Sequence, residues 1–271
     1  MNKMKFSASY ALMLVFALCL SHAYASDAPK TGTMPELVAC LSDDNAPFSS
    51  SNGGGIDAEM SRRLGEFLHR PVRISWIAIP ERGGLGRALR MAMKPGNCDL
   101  FFGIPVNGTA NEDVLEQHLE TSEPYLSTGY VLVAAKGSNV RTLDDAQRAQ
   151  RVGVVTATPA DMYLHKQRFN RIPYGNNRDL LDALSEGAVN AAVLWLPALA
   201  SAEQRGFELW PNAIRDEHLP SPELETRFVI AMRSGEADLK ANLNVALAHL
   251  RSDGSLDSIL RRHGIARTHV Q

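Results

Sequence analysis

From about residue 36 the chain alternates short apolar runs with longer stretches in which apolar residues recur every three or four positions. That is the pattern of strands alternating with amphipathic helices. Residues 36–41 (ELVACL) predict a first strand, followed by the turn formers Asp43-Asp44-Asn45-Ala46-Pro47. Met60, Leu64, Phe67 and Leu68 form a helical stripe over 56–68, opened by Asp57. Residues 72–79 predict a second strand, 85–93 a second helix, and 99–104 and 129–135 two further strands.

After Lys136-Gly137-Ser138 the pattern begins again. A short helix starts at 142–145, and 151–155 (RVGVV) is a strand. Thr158-Pro159 places a capping residue before a proline, as the start of a helix favours. Residues 180–184 continue as helix until Gly187, and 189–194 and 227–232 are strands. Leu239, Leu243, Ala246, Leu247 and Leu250 share one helical face, and a last helix at 256–262 stops at Gly264. Two strand-helix series joined by extended segments near 131–137 and 227–232 predict an α/β protein of two lobes, with the chain crossing between them twice. The expected lobes are 26–134 with 230–271, and 135–229. Ligands in open α/β sheets bind beyond the carboxyl ends of the strands, so the cleft between the lobes is the expected site.

The 271 residues include 28 Lys+Arg and 30 Asp+Glu, a formal net charge of -2. Without a basic cluster, that balance argues against a nucleic-acid partner. Hydrophobic residues at 45% give the chain enough to bury a real core. The first 25 residues carry their own pattern: Lys3 and Lys5, an apolar run at 10–20, then Ala23-Tyr24-Ala25. This reads as a secretory signal cleaved before Ser26, sending the protein to the periplasm with no membrane insertion afterwards. The apolar run is too short to span a bilayer. Cys40 and Cys98 then remain as an even pair in an oxidising compartment, and the expectation is a disulfide rather than two buried free thiols.

Catalytic and metal motifs are scarce. There is no G-x-S-x-G elbow, and the histidines are scattered without H-E-x-x-H spacing. Gly83-Gly84-Leu85-Gly86-Arg87 lacks the dinucleotide spacing and reads as a tight strand-to-helix turn, although its free N–H groups can meet an anion. No cofactor is expected. The Asp43–Asn45 stretch fails as a calcium loop, because Pro47 replaces a ligand and no distal Glu follows in register.

Several strings carry a resemblance. Gly55-Ile56-Asp57-Ala58-Glu59-Met60, then Ser122-Glu123-Pro124-Tyr125 with Gly129-Tyr130-Val131-Leu132-Val133, and the segment from Leu239 through Asp253-Gly254-Ser255-Leu256 resemble the family 3 extracellular solute-binding proteins. That resemblance covers nearly the whole mature chain and implies a type II periplasmic-binding fold with a hinged cleft. Val38-Ala39-Cys40, Asp44-Asn45-Ala46-Pro47-Phe48-Ser49, Arg82-Gly83, Gly96-Asn97-Cys98-Asp99, Gly103-Ile104-Pro105 and Leu194-Trp195-Leu196-Pro197 are similar to a narrower subgroup, the one associated with quinoprotein methanol dehydrogenases.

Within that frame the ligand-binding candidates are Asp43, Asn45, Phe48, Arg82, Pro105, Asn107, Tyr125, Thr158 and Trp195. Each has a plainer reading. Asp43 and Asn45 are ordinary turn formers, Phe48 and Trp195 fit a core, Arg82 fits a solvated surface, and Thr158 fits a helix cap. The departures from the family matter more. Amino-acid-binding members carry an arginine for the α-carboxylate shortly after the third-strand glycine, yet 105–112 (PVNGTANE) has none. In the second-lobe string that supplies an aspartate for the α-ammonium, Asn190 and Trp195 stand at the aspartate positions. The first expectation is therefore a non-catalytic, monomeric binding module that takes a small molecule or a partner segment, supporting a quinoprotein dehydrogenase. A receptor for an ABC permease and a cleft dehydratase are the alternatives.

Overall fold

Leu37, Ala39, Cys40 and Leu41 each expose 1 % or less of their surface, so the first strand is enclosed on both faces, as a strand between two helical layers must be. The computed structural model describes residues 35–265, except 53, 81, 108–109, 149–150, 210–214, 217–218 and 220. The expected signal segment and its cleavage site lie outside the described residues.

The first series runs β1 (Leu37–Ser42), β2 (Asp44–Asn45), β3 (Ser49–Ser50), α1 (Ile56–Phe67), β4 (Val72–Ile77), α2 (Gly84–Ala92), β5 (Leu100–Val106), α3 (Glu112–Glu116), β6 (Leu119–Thr121) and β7 (Leu126–Ala134). The second runs α4 (Leu143–Arg148), β8 (Val152–Val155), α5 (Pro159–Lys166), β9 (Arg171–Tyr174), α6 (Asn177–Ser185), β10 (Ala191–Trp195), α7 (Leu196–Gln204) and β11 (Arg215–Asp216). The chain then returns through β12 (Glu225–Arg233), α8 (Ala237–Ser252) and α9 (Ser255–Arg262).

The strands form one path, β4-β1-β5-β12-β7-β10-β8-β9. β4, β1 and β5 are parallel, with β12 antiparallel to β5. β9, β8 and β10 form the second parallel set, with β7 antiparallel to β10. β7 changes partner along its length: Leu126 to Gly129 pair with β12, and Tyr130 to Ala134 pair with β10. The expected lobe boundaries fall just past the end of β7 and inside β12, whereas the change of partner lies between Gly129 and Tyr130. A Cβ at Gly129 would stand 2.5 Å from the Leu224 carbonyl oxygen, so the backbones approach there closely enough to require glycine.

Each half carries apolar clusters on both faces of its sheet. In the first, Met60 and Leu64 of α1 share a cluster with Leu243 and Leu247 of α8 and Leu256 and Ile259 of α9, so the C-terminal helices return to this half. The opposite face packs Leu89 of α2 against Cys40, Phe101 and Ile104. The second half buries Leu180, Leu184 and Leu194 on one side and Val152, Val154 and Leu164 on the other.

Elements that escaped the sequence pattern have identifiable reasons. The 43–47 stretch, expected as a loop, folds back as the two-residue ladder β2–β3. α7 continues directly from β10, and its Leu196, Leu199, Ala200 and Ala202 are buried around much of its circumference, which erases the amphipathic stripe. β9 has only four residues and contains Pro173, a composition that reads as loop.

Cys40 and Cys98 form a disulfide with Cα atoms 5.8 Å apart and a sequence separation of 58. It ties β1 to the segment entering β5, beside the backbone bond from Asp99 to Val38 and the Asp99 carboxylate bonded to the Val38 N–H at 2.9 Å. Closing a loop of that length is worth about 4 kcal/mol in the chain-entropy account. Replacing both cysteines by serine is expected to lower the unfolding free energy by roughly 2–4 kcal/mol, read from denaturant midpoints. A midpoint unchanged from the oxidised protein would show that the bridge contributes nothing.

Candidate functional site

At the carboxyl end of β1 the chain turns through β2 and β3 and feeds directly into α1. No side chain caps this helix; the N–H of Ile56 donates to the Pro47 carbonyl and that of Asp57 to the Phe48 carbonyl, at 3.2 and 2.8 Å. The hairpin thus satisfies donors that a helix start leaves free. Gly55, at φ 107°, lies so close that a Cβ would be 2.5 Å from the Phe48 oxygen. This packing fixes Phe48 against Phe228 of β12, with ring centroids 4.5 Å apart.

Asp57 points inward from the first turn of α1 and is 1 % exposed. Tyr125 Oη donates to Asp57 Oδ1 at 2.6 Å and accepts from the Gly103 N–H at 3.2 Å. Gly103 has φ 76° in mid-strand, and a Cβ there would sit 3.1 Å from Asp57 Oδ2. Burial pushes the Asp57 carboxyl up to about 7, and the bond from Tyr125 offsets only part of that rise. Burial, with the Asp57 charge added, drives the Tyr125 phenol well above its ordinary value.

The second half contributes a matching aromatic pair: Tyr130 on β7 and Trp195 at the end of β10, with centroids 5.2 Å apart. Trp195 stands opposite Tyr130 in the ladder between those strands. Thr158 caps α5, its Oγ1 accepting from the Asp161 N–H at 3.2 Å and donating to the Val155 carbonyl at 2.7 Å. The Tyr130 hydroxyl reaches Thr158, while burial raises its pKa.

These groups line a cavity of about 610 Å³ between the two halves, a volume that suits a small organic ligand. Of the sequence-predicted residues, Asn45, Phe48, Pro105, Asn107, Thr158 and Trp195 line it. Three do not. Tyr125 is fully buried beneath the floor and bonded to Asp57. The Asp43 backbone braces the hairpin, its N–H donating to Ile77 and its carbonyl accepting from Ser51. Arg82 is exposed in the turn before α2 and outside the lining.

The cavity also recruits Asp44, from the same loop as Asn45, and Ser49, Asp57, Tyr130 and Phe228, which were absent from the predicted set. Ser49 Oγ is buried without a hydrogen-bond partner. Among the described residues lining the cavity, the charged ones are Asp44 and Asp57; no lysine, arginine or histidine is present. Among the described residues there is no cluster of three His, Cys, Asp or Glu side chains able to hold a metal, and no helix is long and apolar enough to cross a membrane.

Two α/β halves joined by a pair of antiparallel strands, with a ligand-sized cleft between the carboxyl ends of their sheets, define a two-lobed binding protein of the type II periplasmic class. The chain belongs to the bacterial extracellular solute-binding proteins, family 3, whose family model matches residues 37–265. It is similar to the lysine/arginine/ornithine-binding periplasmic protein of Escherichia coli, 23% identical over 261 residues, which cover 92% of this chain and 95% of that one. The fold matches the unliganded, open L-cystine solute receptor of Neisseria gonorrhoeae with a TM-score of 0.70 at 19% identity, over 88% of this chain and 96% of that one. It also matches the periplasmic binding protein XoxJ of Methylobacterium extorquens AM1, with a TM-score of 0.59 at 23% identity over 86% and 99% of the two chains.

The raised Asp57 pKa makes a stability prediction. The unfolded carboxyl ionises near 3.8 while the folded one keeps its proton to about 7. This group therefore costs no stability below the lower value, and an increasing amount as pH rises, up to roughly 4 kcal/mol. Asp57→Asn should match the wild-type protein in thermal unfolding near pH 4 and exceed it near pH 7. Parallel pH profiles for the two proteins would refute the assignment.

Proposed function

We propose that the chain is an exported, periplasmic, non-catalytic binding protein whose lobes close on a small molecule or a segment of a partner, in support of a quinoprotein alcohol dehydrogenase. The observation that carries this reading is the cleft itself. Aromatic pairs face it from both halves, and its described lining has no cation to receive an α-carboxylate. A zwitterion desolvated there without a charge partner would cost several kcal/mol. The departures at 105–112, Asn190 and Trp195 point the same way, and the subgroup strings in the first lobe favour the dehydrogenase connection. Closure needs a ligand that touches both lobes, because equal affinity for the open and closed states shifts nothing. Phe48 and Phe228 on one side and Tyr130 and Trp195 on the other offer that double contact.

A second reading, delivery of an amino acid to an ABC permease, is favoured by the ligands named for the Escherichia coli relative. A third, a cleft dehydratase, draws on Asp57, a carboxyl near the pKa that general acid–base chemistry needs. Its Oδ1 is held by Tyr125, and Asp44 is the one other titratable carboxyl among the described lining residues. Deleting the gene is expected to remove most alcohol-dependent dye reduction by the host's quinoprotein dehydrogenase while leaving amino-acid uptake unchanged. Full dehydrogenase activity with impaired uptake would replace this proposal by the transport reading.

A further inference from the structure

We infer that the cleft is built for an organic ammonium ligand that carries no carboxylate, an amine rather than an amino acid. The inference rests on the cleft being a ligand site and adds the chemistry of what enters it.

The charges come first. Asp57 sits at the buried floor and Asp44 at the exposed rim, and the described lining holds no positive side chain against them. A ligand carboxylate would be desolvated beside Asp44 and would push the Asp57 carboxyl further towards its neutral form, whereas an ammonium next to Asp57 would hold that carboxyl ionised. The second observation is independent. Ser49 Oγ is 1 % exposed, has no hydrogen-bond partner and lines the cavity. Buried hydroxyls are nearly always satisfied, so an arriving ligand has a hydrogen bond to make. An alkylammonium has three donors, and the lining offers it acceptors in the Ser49 oxygen and the Asp57 and Asp44 carboxylates. Third, the aromatic side chains of Phe48, Phe228, Tyr130 and Trp195 line the space, and a cation is attracted to an aromatic ring face while an anion is not.

The nearest counter-argument lies next door. A crevice of about 860 Å³ shares Asp44, Asn45 and Asn177 with the cleft and carries Arg178 and Arg205. Both arginines are exposed, Arg205 Nη1 donates to Ser201 Oγ at 2.5 Å, and Asp182 lines the same crevice. Their charges are therefore hydrated and partly matched, a weak lure for a carboxylate compared with a buried bidentate arginine.

The test uses the mature chain and matched pairs built on the ligands named for the Escherichia coli relative: arginine with agmatine, lysine with cadaverine, ornithine with putrescine. Neutral compounds of similar size are included, and thermal shift and calorimetry are the readouts. At least one amine is expected to raise the melting temperature by several degrees and to bind on the order of 100-fold more tightly than its parent amino acid. Asp57→Asn should weaken that binding at least about tenfold, and Asp44→Asn, at the exposed rim, should weaken it less. An amino acid binding as tightly as its amine, with binding lost in Arg178→Ala, would overturn the inference and assign the carboxylate to the neighbouring crevice. Binding by neutral compounds alone would overturn it while leaving the cleft a ligand site. Silence from every compound would overturn the inference.

Discussion

The architecture depends on two half-sheets being joined through a single antiparallel pair, β7 with β12. β7 spends its first residues on β12 and its remaining ones on β10, so one strand belongs to both halves. The junction permits little bulk, since Gly129 packs its Cα against the Leu224 carbonyl. Such a narrow bridge leaves each half to bury its own core and leaves the carboxyl ends of the strands facing one another across open space. The cleft follows from that arrangement, and so does the capacity to change its width: motion can concentrate where few backbone bonds cross.

The floor of the cleft shows how the fold imposes chemistry. Asp57, Tyr125 and Gly103 come from α1, the residue just before β7 and the middle of β5, and the Tyr125 hydroxyl joins them, donating to Asp57 and accepting from the Gly103 N–H. A carboxylate in that position sacrifices hydration for a single strong hydrogen bond. That trade becomes unfavourable for stability as pH rises towards the folded pKa of the carboxyl, about 7. The walls differ in kind: one aromatic pair, Phe48 with Phe228, comes from the first half and the other, Tyr130 with Trp195, from the second.

Much of the fold was legible along the chain. β1, α1, α2, β5, α8 and α9 follow from apolar periodicity, Thr158 caps its helix through its side-chain oxygen, and glycines punctuate the helix ends. Part of the site was legible too, because strand ends and the loops beside them at residues 45, 48, 105, 107, 158 and 195 converge as α/β topology requires. Tyr125 was misplaced for a physical reason. Its string marks the strand correctly, but its hydroxyl finds Asp57, 68 positions away, and that pairing draws the ring below the floor.

By itself the sequence determined the local elements, the pair of cysteines, and the lack of an arginine and of aspartates at the positions where an amino acid would be gripped. These depend on neighbours in the chain or on residue identity alone. Only the tertiary structure decided which polar groups lose their water: Asp57 with its raised pKa, Ser49 with its unmatched hydroxyl, and Arg82 left in solvent. Burial is a property of segments brought together from distant parts of the chain, and a side chain's chemistry is set by that company as much as by its name.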